Sequence, residues 1–153
     1  MLPTRIHREA VRERIGPYAD PSVSYEERAR PYQELIGFVP PRIEARLHVT
    51  GALDPEMVKL QEAVRAHGMY PRSFEVKTAQ LMLFGMLLMD GSDACVLHGI
   101  AARRAGASWH ELQDTVNLVF LFRGLSAANR GAEVLAHIAQ REAQDGDVER
   151  APR

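Results

Sequence analysis

Three side chains near the middle of the chain have types and spacing that could carry out acid–base or thiol chemistry: Cys95, His98 and Gln80. Cys95 and His98 are three residues apart, so they share one face of a predicted helix. Ser92 is the predicted N-cap, which places Cys95 in the first turn, where the positive helix end stabilises a thiolate. His98 suits a general acid or base near neutral pH. Gln80 lies on the preceding helix, which we expect to pack against this face.

Each of these residues also has a structural interpretation. A lone cysteine in an apolar segment is usually a small buried hydrophobe, and a lone histidine is often a satisfied core or interface residue. A single cysteine excludes an intramolecular disulfide, a dithiol redox centre and an all-cysteine metal site. The six histidines show no H-x-x-x-H or H-E-x-x-H spacing, so the sequence predicts no metal site.

The elements that must position these side chains are predicted to be helices. Ser24 with Glu27, and Ser108 with Glu111, form capping boxes, and Asp54 is an N-cap before a proline. The predicted helix ends are marked by Gly91, Gly106 and Gly124. No segment alternates as a half-buried strand does, so the predicted fold class is all-α. The predicted helices cover residues 5–15, 25–36, 55–67, 74–89, 93–105, 109–123 and 127–142.

The first 53 residues hold six of the nine prolines. The pair Pro40 and Pro41 is expected to break any helix at about Val39. The predicted organisation is therefore an N-terminal arm of short helices over residues 1–53, a helical domain over residues 54–145, and a frayed tail over residues 146–153.

Composition and net charge argue against some classes of binding partner. A chain of 153 residues with 46% hydrophobic residues and a formal net charge of -1 fits one globular domain and argues against a nucleic-acid or membrane-surface binder. The N-terminus lacks the apolar region of a secretory signal, and the apolar run at 81–89 is too short to span a bilayer. One cysteine fits a reducing compartment, so a cytoplasmic location is predicted. The apolar stretches at 81–89 and 116–122 predict burial in the core or in a subunit interface, hence self-association.

Short stretches in a fixed order carry a resemblance to a known family. Residues 74–81 read FEVKTAQL, against an opening of the type LDPKTREL, and His98 precedes the helix-ending Gly106 by eight residues. Residues 123–129 read RGLSAAN, against A-G-x-P-A-A-N, and residues 37–41 read GFVPP. Over roughly residues 30–140 the chain thus resembles the carboxymuconolactone decarboxylase family, which includes the alkylhydroperoxidase D-like proteins. The resemblance implies an alkylhydroperoxidase D-like fold of six to seven helices, assembled into trimers or hexamers with the site partly at a subunit interface.

The chain departs from both branches of that family. The peroxidase branch has a C-x-x-C pair before the histidine and a glutamate on the preceding helix, and here Ser92 and Gln80 hold the places of the first cysteine and the glutamate. A peroxidase cycle through an intramolecular disulfide is therefore excluded. In the decarboxylase branch a glutamate usually precedes the histidine by four residues, and Ala94 holds that place.

The decarboxylase branch fits better and implies a lyase of aromatic compound catabolism that works without a cofactor or metal. We expect acid–base chemistry on a small oxygenated carboxylic acid or lactone, with His98 and Cys95 as candidate catalytic residues. The candidate substrate-binding residues are Gln80, Arg123, Asn129 and Ser92; Arg123 also fits a helix-end cation. Two alternatives remain: a single-cysteine thiol peroxidase that an external thiol reduces, and a non-catalytic binding or assembly protein with a degenerate site.

Overall fold

The computed structural model describes the backbone of residues 5–150 and the side chains of residues 5–146. Eight helices and no strand are found in this part of the chain, so the all-α fold class is confirmed. The helices are α1 (Arg8–Arg14), α2 (Tyr25–Ile36), α3 (Pro41–Leu53), α4 (Pro55–Met69), α5 (Val76–Asp90), α6 (Cys95–Arg104), α7 (Trp109–Arg123) and α8 (Leu125–Arg150). None of the helices described is long and apolar enough to cross a membrane.

The chain divides into two compact units, Met1–Pro71 and Arg72–Arg153. The first unit contains α1 to α4, and the second contains α5 to α8 with all the candidate site residues. The boundary expected between residues 53 and 54 falls between α3 and α4, inside the first unit.

The helix caps predicted at Ser24, Asp54, Ser108 and Gly91 are confirmed. In both capping boxes the serine side chain accepts a hydrogen bond from the glutamate backbone, and the glutamate side chain accepts one from the serine backbone. The Asp54 side chain accepts from the backbone N–H of Met57 at the start of α4. Gly91 ends α5 in the left-handed conformation, with a φ of 75°. These ends are set by local sequence, which is why the pattern alone located them.

Helix α3 was not predicted. Pro40 and Pro41 do separate it from α2, but they also begin it: Pro40 is the N-cap and Pro41 occupies the first turn. Proline is tolerated there because the first backbone N–H groups of a helix have no partner within it. Helix α2 already ends at Ile36 with Gly37 as its C-cap, so the proline pair marks the start of α3 and not the helix end expected there.

The C-terminal helix is longer than expected. The backbone of α8 continues to Arg150, although a frayed tail was predicted from residue 146. The end of that predicted tail, residues 151–153, lies outside the described residues.

A buried polar cluster ties together three helices of the first unit. Glu62 of α4 accepts hydrogen bonds from the Tyr32 hydroxyl of α2, at 2.7 Å, and from the Arg46 guanidinium of α3. Arg46 also donates to the Tyr32 oxygen, at 2.9 Å, and Arg65 lies over the Tyr32 ring. Because Glu62 and Tyr32 are both buried, this one carboxylate offsets the cost of enclosing several polar groups.

A second carboxylate holds the loop before α2. The Asp20 side chain accepts hydrogen bonds from the hydroxyl and backbone of Ser22 and from the guanidinium of Arg28. These bonds, those from Ser22 first, hold the pKa of Asp20 well below its usual range.

The core of the second unit is apolar and closely packed. Phe84, Leu112 and Ile138, from three different helices, are fully buried. Close approach of α7 and α8 depends on Gly131, since a Cβ there would lie 2.6 Å from a methyl carbon of Val116. This packing sets the positions of α5 and α6, on which the candidate site is built.

Candidate functional site

The structure brings His98 and Gln80 together. Gln80 lies in α5 and is fully buried, and His98 lies in α6 and is half-buried. The Nδ1 atom of His98 is 2.8 Å from Oε1 of Gln80. The contact expected between these two side chains is therefore present.

The direction of this hydrogen bond has a chemical consequence. An amide oxygen only accepts, so the ring must donate through Nδ1–H. In a neutral imidazole the basic lone pair then belongs to Nε2. Gln80 is neutral, so it can orient the ring and select its tautomer without adding charge. Proton exchange with a substrate would then take place at Nε2.

Cys95 differs from its expected state. Helix α6 begins at Cys95 with Ala94 as its N-cap, and the Ser92 side chain accepts a hydrogen bond from the Ala94 backbone instead of capping the helix. Cys95 is fully buried, and this burial raises the pKa of its thiol. Interactions with the Arg130 guanidinium oppose the rise without cancelling it. The expected lowering of the thiol pKa is wrong, because desolvation outweighs the interactions with Arg130 and with the backbone of Val96.

Arg130 is the cation that the structure places beside the start of α6. Its guanidinium donates to the Asp93 carboxylate at 2.7 Å, and it interacts with Cys95. The sequence favoured Arg123, which ends α7 and is exposed. Asn129 is also exposed. Within residues 5–150, neither Arg123 nor Asn129 forms a hydrogen bond with the His98–Gln80 pair.

A shallow pocket of about 380 Å³ lies at Arg130. Its lining residues from α8 are spaced at i, i+3, i+4 and i+7 along one helix face: Arg130, Glu133, Val134 and His137. That spacing is visible in the sequence, but the pairing with α6 depends on how two helices pack. No group of three metal-ligating side chains occurs among the described residues.

The sequence analysis missed a cluster in the first unit. The rings of Tyr25 and His48 are stacked, with centroids 4.2 Å apart, and Arg8 forms an ion pair with the buried Glu44. Burial and the Arg8 charge lower the pKa of His48, whose Nε2 is buried and has no hydrogen-bond partner. Since that nitrogen is not reachable by water, the cluster offers a ligand no contact there. No spacing signal links these residues, which come from three helices.

Comparison with protein-family models, with curated proteins and with solved structures found no match to this chain.

Proposed function

We propose that the protein is a cofactor-free acid–base enzyme, of the decarboxylase or isomerase type, that acts on a small oxygenated carboxylic acid or lactone. The observation that carries the proposal is the 2.8 Å contact between Nδ1 of His98 and Oε1 of Gln80. A half-buried histidine held in one tautomer by a fully buried amide is the arrangement that a general acid or base needs. The resemblance to the carboxymuconolactone decarboxylase family supports the same chemistry.

In a decarboxylation of this type, the bond between the carboxylate carbon and its neighbour breaks. Carbon dioxide leaves, and the electron pair moves into a carbonyl of the substrate to form an enolate. His98, protonated on both ring nitrogens, is the proposed donor of the Nε2 proton that the carbon then takes up. The neutral ring keeps its Nδ1–H on Gln80, and solvent returns a proton to Nε2. The substrate carboxylate and the enolate need a cation or hydrogen-bond donors. Ser92, Arg123 and Asn129 remain the residues proposed for binding.

The test is the substitution His98→Asn, assayed by carbon dioxide release and ultraviolet absorbance on a panel of small lactones and β-keto acids. We expect the fold to survive and the rate to fall about 100-fold or more, the usual size of a general acid–base contribution. His110→Asn is the matched control, because His110 is exposed on α7. Equal activity of both variants would remove His98 from the chemistry. Turnover of no substrate in the panel by the wild type would favour the non-catalytic alternative.

The buried thiol supports acid–base chemistry over a thiol peroxidase. Its pKa is raised, so the reactive thiolate is scarce. Cys95→Ser is therefore expected to keep most of the activity on the same panel. If this variant loses activity and the wild type consumes thiols in the presence of peroxide, the single-cysteine peroxidase replaces the present proposal.

Self-association in the cytoplasm is part of the proposal. The resemblance implies trimers or hexamers, and several large apolar side chains of the second unit are exposed. The proposed cytoplasmic location rests on the single cysteine, which fits a reducing compartment.

A further inference from the structure

Helices α5 and α7 share an exposed apolar face. It is formed by Met82, Met86 and Met89 of α5 and by Leu118 and Phe122 of α7, which are 39% to 82% exposed. None of the residues that line the groove between these helices is charged. The apolar stretches identified in the sequence are therefore not enclosed within their own unit.

The spacing of these residues explains the face. The three methionines are at i, i+4 and i+7 of α5, and Leu118 and Phe122 are four apart on α7, so each set forms a stripe along its helix. The helices pack closely at Gly85, where a Cβ would lie 2.9 Å from a side-chain carbon of Thr115. The two stripes therefore run side by side as one surface.

We propose that this α5–α7 face is where a second copy of the chain docks, about a twofold axis that pairs the face with itself. The inference rests on the self-association proposed above and adds the surface and the symmetry. It does not depend on the chemistry of His98.

The size of the face fits a subunit contact. At about 200 Å² for a fully exposed large side chain, the exposed fractions of the five residues and the adjacent Leu121 correspond to roughly 700 Å². A standard protein interface buries about 800 Å² on each partner. Apolar patches on monomers rarely exceed about 300–600 Å².

The shape and charge of the face favour a second copy as its occupant. From Thr78 to Met89 the groove extends about 16 Å along α5, and the face spans two helices whose axes lie about 8–10 Å apart when packed. Such a surface suits another pair of helices better than one extended peptide. In a twofold contact the same patch meets itself, so residue i contacts residue j and j contacts i. A lining without charges creates no like-charge repulsion in such a contact. Methionine side chains also adapt their shape to a partner.

The experiment measures the mass of the full chain by light scattering coupled to size exclusion, at micromolar to submillimolar concentration. The wild type is expected at an even multiple of the 17.1 kDa chain mass. Met86→Glu and Leu118→Glu each place two like charges in a twofold contact, so both are expected to halve the mass of the assembly with unchanged helical circular dichroism. Leu60→Glu on α4 is the matched control, because Leu60 is 54% exposed and Met86 is 57% exposed.

A second measurement covers the case in which a glutamate variant does not fold. In a Cys95→Ser background, Met86→Cys provides the one thiol of the chain, and the proposed contact predicts a disulfide between two copies under mild oxidation. Leu60→Cys in the same background is expected to cross-link far less.

The outcomes separate the proposals. A wild-type mass of 17.1 kDa at all concentrations would overturn both self-association and this face. An assembly that survives Met86→Glu and Leu118→Glu, or that dissociates with Leu60→Glu, would overturn the face alone. A trimer would overturn the twofold arrangement. The activity of His98→Asn tests the acid–base proposal separately.

Discussion

The tautomer of His98 can be measured directly, and the contact with Gln80 predicts it. The Gln80 oxygen lies 2.8 Å from Nδ1, so the neutral ring should carry its proton on Nδ1. A hydrogen bond between neutral groups contributes about 1 kcal/mol net, which corresponds to a factor of about 5 in the ratio of the two tautomers. Gln80→Leu keeps the buried volume similar and removes the acceptor. This variant should lose the preference for the Nδ1–H tautomer. It should also be less stable by about 1–3 kcal/mol if the Nδ1–H group stays without a partner.

The assay is nitrogen-15 NMR of the histidine rings at about pH 8.5, where an ordinary imidazole is neutral. The ring nitrogen shifts report which atom carries the proton. The signals of His98 are assigned by their absence from the spectrum of His98→Asn. Gln80→Asn, which keeps the amide on a shorter side chain, serves as the control. We expect Nδ1–H in the wild type and a shift toward Nε2–H in Gln80→Leu. Dominant Nε2–H in the wild type would show that the amide donates, and the role proposed for Gln80 would then be wrong.

Three further predictions follow from packing, charge and burial. Gly131→Ala should destabilise the protein by about 1–2 kcal/mol in urea unfolding, because overpacking outweighs the gain in helix propensity. The control is Gly68→Ala, where a Cβ meets no atom within 4 Å, and this variant should be neutral or stabilising. Equal effects of the two substitutions would contradict the packing argument. The lowered pKa of Asp20 means that its contribution to stability is present above about pH 4 and is lost as the pH falls. Asp20→Asn should therefore lower the stability at pH 7 and make the stability fall less steeply in acid. Parallel curves of stability against pH for the wild type and the variant would contradict this role of Asp20. Native Cys95 should react slowly with a disulfide reagent and quickly in urea, since burial raises its pKa, and fast native labelling would show that the thiol is accessible.

The sequence located helix ends because the physics there is local. The capping boxes at Ser24 and Ser108 need only a partner three residues away, and Gly91 needs only a missing Cβ. Pro40 and Pro41 were harder to interpret, because α2 already ends at Ile36 and the proline pair begins α3 instead. The pairing of α5 with α6 was inferred from the order of the chain, and the contact of Gln80 with His98 agrees with it.

The electrostatic environment of the site could not be predicted from local sequence, because it depends on residues that are distant along the chain. The state of Cys95 depends on how much protein covers it, and a helix position alone predicts the opposite pKa direction. The contact of Arg130 with Asp93 depends on which side of α8 faces α6, which local sequence does not determine. Similarly, the composition of the 81–89 stretch shows that it is apolar, but only the packing shows which side remains exposed.

The cluster around Glu62 restricts which amino-acid substitutions the first unit can accept. An apolar side chain at position 62 would leave the Arg46 guanidinium and the Tyr32 hydroxyl without their shared acceptor. An apolar residue at position 32 would remove one donor from the same oxygen. A single change at one of these positions leaves a buried polar group without its partner. That variant loses more stability than one in which all three residues are replaced together. Among natural variants of this chain we therefore expect positions 32, 46 and 62 to change together or not at all, so a substitution tolerated in one sequence would be harmful when moved alone into another.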